Sequence, residues 1–332
     1  MISPDLQRIS AKVRAQPWRW LALPAGLFLV ATLYLSFRPG ASYEAPKLAY
    51  PELLAATTTL AGNERRYQHT LEERQKLIEK EGGSQIDVFP PPHGRYYVLW
   101  DFFIPGFSCP HPTYRIGLLA DGGKWVCGFG RVLQSRPNCI VYSLNSATPS
   151  YSSFELGILQ KSSACEIYAF DDNTAPSKWP WGETDVGDTD FLAARIHFNE
   201  FAISNPTAKK NRSLRDVMRG FSHDWIDILK MDLHGSEFAT LLAIIAENGD
   251  EPLPFGQLLL TVNVPHADDM TTVAHFQDWF TRLECAGLRP FYFEVSMMDV
   301  NNRRGEPGVV YWSFMNIRGT HALVDDSWPE LP

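Results

Sequence analysis

The pattern of apolar and polar positions organises this chain before any single residue does. From Trp225 to Met231 apolar side chains fill most of a run of strand length, bounded upstream by the polar Ser222-His223-Asp224. Asp232 and His234 follow. Gly235-Ser236-Glu237 then opens a segment whose apolar positions Phe238, Leu241, Leu242 and Ile245 recur at helical spacing. A buried strand running through a charged turn into a helix is one βα step of an open α/β sheet. The same alternation continues on both sides. It predicts strands over 139–144, 165–170, 195–203, 225–231, 257–264, 288–295 and 309–316. Helices are predicted over 153–160, from Ser213 onward, and over 271–286. Ser213-Leu-Arg-Asp216 has the form of an N-cap with an acidic residue three positions on. Val273, Phe276, Phe280 and Leu283 share one face of the 271–286 helix, and Gly287 stops it. The last two strands are joined by a Gly- and Asn-rich loop without helical pattern, which predicts an antiparallel closing hairpin. The fold class is therefore α/β, a seven-stranded, mostly parallel sheet with helices on both faces.

Upstream the pattern changes. Trp18 to Phe37 is a predominantly apolar run long enough to cross a hydrocarbon core, with aromatic residues at both ends. Arg8, Lys12, Arg14 and Arg19 outweigh Arg38 and Lys47, which predicts an uncleaved signal anchor with a cytoplasmic N-terminus. The expected layout is a cytoplasmic tail (1–17), a membrane anchor (18–37), a stem (38–92), a globular domain (93–320) and a C-terminal tail (321–332). The stem holds a charge-dense stretch from Leu53 to Glu81 with sparse apolar positions, which reads as a solvated helix or spacer. This layout predicts a single-pass membrane protein of the Golgi or endoplasmic reticulum with its globular domain in the lumen. Asn211-Arg212-Ser213 is an N-x-S sequon that lumenal exposure would make available.

Composition and charge narrow the chemistry. The chain has 332 residues and a formal net charge of −8, which argues against a nucleic-acid-binding surface. Its five cysteines form no C-x-x-C, so neither a zinc site nor a redox pair is signalled, and no metal site is assigned. Cys109 and Cys127 flank the Asp121-Gly122-Gly123 turn, at a spacing that permits a bridge between neighbouring strands; two buried free thiols are the alternative. Ligands in open α/β sheets bind at the carboxyl ends of the strands, which places Asp232 at a crevice. The competing reading is that Asp232 or Ser236 only caps the following helix.

Four blocks carry a family resemblance: Asp121-Gly-Gly-Lys-Trp-Val-Cys127, Cys139-Ile-Val-Tyr-Ser143, Ile167-Tyr-Ala-Phe-Asp171 and Leu229-Lys-Met-Asp-Leu-His-Gly-Ser-Glu237. Together they resemble the methyltransferase-like domain family, which includes single-pass membrane proteins and is distantly related to FkbM-type sugar O-methyltransferases. The resemblance spans about Trp100 to Arg318. It implies a Rossmann-like, class I S-adenosylmethionine-dependent methyltransferase fold. It also implies site residues: Ser143 and Asn145 beside the methionine part of the cofactor, Asp171 on the ribose hydroxyls, and Asp232 near the sulfonium and the acceptor. Asp232, His234 and Glu237 are the candidate catalytic residues.

The departures fall in the same place. No glycine follows Ser143 before Gly157, where the family places glycines that let the backbone approach the cofactor. His234 stands where the family commonly has Glu, and Thr261 and Asn263 replace a Glu and a His. Three readings follow. One is a methyltransferase acting on a glycan or protein acceptor with weak S-adenosylmethionine binding. Another is a catalytically silent binding module. The third is a Golgi glycosyltransferase using Asp171-Asp172-Asn173 to hold a metal–nucleotide.

Overall fold

In the computed structural model, residues 60–89, 99–119, 122–135, 138–145, 153–172 and 194–325 are described. The predicted anchor at 18–37, Asp121, Asn173 and residues 146–152 lie outside them. Helices α1 (Leu60–Glu81) and α2 (Leu99–Phe102) precede a hairpin of β1 (Thr113–Ile116) and β2 (Lys124–Cys127). Helix α3 (Phe129–Ser135) leads to β3 (Cys139–Asn145), α4 (Ser153–Lys161), β4 (Cys165–Phe170) and β5 (Ile196–Asn199). Short strands β6 (Ala202–Ile203) and β7 (Asn211–Arg212) come next, then α5 (Leu214–Gly220), β8 (Ile226–Asp232) and α6 (Glu237–Asn248). The chain closes with β9 (Phe255–Asn263), α7 (Val273–Cys285), β10 (Leu288–Val295), α8 (Met297–Asn302) and β11 (Val309–Asn316).

Seven of these strands form one sheet in the order β10-β11-β9-β8-β3-β4-β5. Strand β11 is antiparallel to both neighbours, and the other pairings are parallel. The order reverses between β3 and β8, which opens a crevice at the carboxyl ends of the strands. Strand parity divides the core into two layers. Leu144, Phe170, Leu229, Met231 and Leu260 pack against helices α6 and α7 through Phe238, Phe276 and Phe280. Val141, Ile167, Ile228 and Leu259 pack under Val126 of the hairpin and Phe154 of α4. Both faces are thus buried, as parallel strands require.

Four expectations need correcting. The 195–203 strand is two strands, β5 and β6, and the last connection holds the short helix α8, capped by the Ser296 hydroxyl. The stretch read as a solvated helix or spacer does contain a helix, α1, but not a solvated one, because its Tyr67 and Arg74 are buried. Tyr67 donates to Glu284 at 2.7 Å, Arg74 pairs with the same carboxylate at 2.8 Å, and Arg289 grips Glu64 at 2.8 Å. Ion pairs and a tyrosine dock this helix, so an apolar stripe is not what marks it. The start of the C-terminal tail is docked too: Arg131 donates to Ala322 O at 3.0 Å and His111 to Leu323 O at 2.9 Å.

Cysteines join in two pairs. Cys109 bridges to Cys127 (Cα–Cα 5.8 Å), tying the preceding loop to β2. Cys139 bridges to Cys165 (Cα–Cα 4.2 Å), across the first residues of β3 and β4, a pair that the sequence pattern did not single out. Cys285 is free and exposed. No helix among the described residues is long and apolar enough to cross a membrane.

Candidate functional site

Strand register builds the site. Asn145, Asp232, Thr261, Tyr311 and Glu294 are Cα partners in one row across β3, β8, β9, β11 and β10. The row lies at the carboxyl ends of the parallel strands. Asp232 is mostly buried, 7 % exposed, and among the described residues its side chain makes no hydrogen bond or ion pair. A carboxylate this buried ordinarily has a partner. An open one at a strand end makes Asp232 a candidate ligand-binding group.

The turn after Asp232 is held from inside. Gly235 has φ +100 and lies so close to the His266 carbonyl that a Cβ would collide with backbone. Glu237, fully buried, accepts from the amides of Gly235 and Asn263, both at 2.6 Å. Burial pushes its carboxyl up to about 7, and Asp232's charge adds to the rise against the lowering by those amides. With both oxygens on backbone and no exposure, Glu237 holds the turn and does not reach a substrate, which corrects its assignment as catalytic. His234 is exposed, with φ 47, and its ring meets that of His266 edge-on at 6.4 Å. His266 in turn bonds Asn263 Oδ1 at 2.8 Å.

Beside this row is a cavity of about 280 Å³ lined by Leu144, Phe170, Asp171, Ile203, Leu233 and Ser236, among others. Asp171 and Asp172 supply carboxylates on one side, and the apolar residues supply a wall. Asp171 and Asp232 do not share this cavity's described lining: Asp171 follows β4, Asp232 ends β8, and β3 lies between those two strands. Leu144 and Phe170 face the layer of α6, whereas Asp232 falls on the parity of Lys230 and Ile228. Asp171 thus lines the cavity, and Asp232 lies outside its described lining.

Residues 90–303 match the sequence profile of a family described as "Methyltransferase domain". The chain belongs to this family. No curated protein matches it. Among solved structures, the methyltransferase domain is similar to the 16S rRNA methyltransferase KamB (8% identity, 61% of this chain and 100% of that one, TM-score 0.35). It is also similar to the aminoglycoside resistance methyltransferase NpmB1 (13% identity, 62% and 100%, TM-score 0.33). A third is the N,N-8-amino-8-demethyl-D-riboflavin dimethyltransferase of Streptomyces davawensis (12% identity, 56% and 53%, TM-score 0.28). The profile match and the strand order carry the assignment, and these distant superpositions add nothing to it.

A methyltransferase of this fold implies S-adenosylmethionine, and the cavity suits its adenosine half. Carboxylates are the acceptors that ribose hydroxyls need, and an apolar wall suits a flat base. Ser143 does not take part as expected. It is fully buried on the other layer, where its hydroxyl donates to Glu155 at 2.6 Å, and Lys230 reaches the same carboxylate oxygen at 2.7 Å. Asn145 is placed by its backbone alone, opposite Asp232. One residue was overlooked. Lys124, 3 % exposed, donates to Thr261 at 3.1 Å and lies 3.9 Å from the Tyr311 ring centre. It brings a buried cation into the row that holds Asp232. A charged residue opening the strand Lys-Trp-Val-Cys was the available signal.

Proposed function

We propose that this domain transfers a methyl group from S-adenosylmethionine to an oxygen acceptor on a glycan or protein. The observation that carries the reading is the buried, unpartnered Asp232 at the strand end of a methyltransferase-family sheet. S-adenosylmethionine supplies an electrophilic methyl group when bound. Asp171 accepts the ribose hydroxyls, and Leu144, Phe170 and Ile203 wall the base. Asp232 takes the proton from the acceptor hydroxyl, with His234 at the mouth as the next proton acceptor outward. Gly235 and Glu237 fix the turn so that the carboxylate stays aimed, and Lys124 holds Thr261 beside it.

Two bridged cysteine pairs favour a compartment in which disulfides persist, in keeping with the lumenal orientation read from the Trp18–Phe37 run. The family match speaks for methyl transfer over the glycosyltransferase reading of Asp171-Asp172-Asn173. Calorimetry with S-adenosylmethionine is the test, with sugar nucleotides plus manganese as the control. Binding that is lost in Asp171→Ala and kept in Asp232→Asn supports the reading. No S-adenosylmethionine binding by a folded domain sinks it and leaves a silent binding module.

A further inference from the structure

We propose that Asn211 is an N-glycosylation site on the rim of the cofactor cavity. The inference rests on the lumenal part of the reading above and is independent of methyl transfer. Asn211-Arg212-Ser213 has the sequon form. Sequons are frequent by chance, so position and geometry must decide. Asn211 is exposed, in the short strand β7 that pairs with β6. Its Oδ1 accepts from the Asn205 amide at 2.9 Å, whereas its Nδ2 makes no hydrogen bond among the described residues. The atom that takes the sugar is thus open, and the atom that holds the side chain in place is the other one. Ser213 stands at the extended N-cap of α5, and its hydroxyl accepts from Asp216 at 3.1 Å. The sequon therefore straddles a strand–helix junction at the surface, and a glycan on Nδ2 breaks no contact.

The chemistry is a group transfer from a lipid-linked oligosaccharyl pyrophosphate. A C–N bond forms between Nδ2 and the anomeric carbon, the bond from that carbon to the pyrophosphate oxygen breaks, the lipid pyrophosphate leaves with the bonding electron pair, and the proton lost by the amide balances it as released acid. Position adds a consequence. The segment that Asn211 steadies contributes Asn205, Thr207, Ala208 and Lys209 to the cavity lining. The glycan would stand beside the cavity that Asp171 and Asp172 also line, and would narrow the approach from that side.

The test is expression of the full chain in secretory eukaryotic cells. Mobility is compared before and after peptide-N-glycosidase F, with mapping of the Asn211 peptide and of unreduced cysteines. The expected result is a mobility shift in the wild type, none in Asn211→Asp, and a retained shift in Ser213→Thr. Asn211→Asp keeps the Oδ1 acceptor for Asn205, so its fold is preserved. An unmodified Asn211 peptide in protein whose Cys109–Cys127 and Cys139–Cys165 bridges are intact overturns the site and spares the compartment. An unmodified peptide with all five cysteines alkylatable overturns both. S-adenosylmethionine binding is measured separately and bears on neither.

Discussion

The ammonium of Lys230 lies 2.7 Å from the carboxylate of Glu155, and both side chains are at most 1 % exposed. The pair joins the centre of β8 to the first turn of α4, and Ser143 donates to the same oxygen. Among the described residues Glu155 Oε2 has no hydrogen-bond partner. Removing one member strands a charge in the core, which costs about 3–5 kcal/mol, whereas removing both is often near neutral. Lys230→Met should therefore destabilise strongly, and Lys230→Met with Glu155→Leu should recover most of the loss. Urea unfolding of the three proteins measures it. A double variant as weak as the single would mean that the pair is needed for more than charge balance.

Glu237 gives the fold a pH dependence of definite sign. Its folded pKa, about 7, lies above the ordinary value of 4.5. Between those values the folded state binds the extra proton, so stability is fully present below 4.5 and is lost as pH rises through 7. The shift corresponds to on the order of 3 kcal/mol. Glu237→Gln, which stays neutral, should flatten the decline between pH 5 and 7.5 in denaturant titrations. An unchanged slope would assign the dependence to other groups.

The Cys139–Cys165 bridge closes a separation of 26 residues between neighbouring strands. Constraining the unfolded chain in this way contributes about 2–4 kcal/mol. Cys139→Ala with Cys165→Ala should lower the unfolding midpoint accordingly without changing S-adenosylmethionine affinity, because the bridge sits at the amino ends of β3 and β4. A loss of binding alongside would show that the bridge reaches the site.

The sheet was largely legible because its strands are continuous apolar runs separated by turns and amphipathic helices. Leu288–Val295 and Val309–Asn316 fall where the pattern puts them. What escaped is held by polar contacts. The stripe of α1 is built on Tyr67, Arg74 and Glu64, and its partners Glu284 and Arg289 are more than 200 residues away in sequence. In the site, Asp171 and Asp232 were readable as strand ends, but their separation, with Asp171 in the cavity's described lining and Asp232 outside it, depends on strand parity and on Asp171 lying beyond its strand. The same parity turned Ser143 away from the crevice toward Glu155. Lys124 was missed because its partners Thr261 and Tyr311 come from distant strands.

Gly235 tests whether the turn that aims Asp232 depends on one atom. At φ +100 an L side chain is strained by about 1–3 kcal/mol. An added Cβ would also meet the His266 carbonyl and its carbon, which are backbone and cannot rotate away. Gly249 is the control: its φ is +60, and nothing lies within 4 Å of an added Cβ. Gly249→Ala should therefore cost only the conformational strain. Gly235→Ala should cost more, because His266 must shift and the Asn263 amide that Glu237 holds moves with it. Denaturant unfolding gives the stability difference. Amide shifts of Asn263 and His266 in the NMR spectrum show whether the turn moved. Equal costs for the two variants, with those shifts unchanged, would mean that the turn tolerates a side chain and that Asp232 is aimed by other contacts.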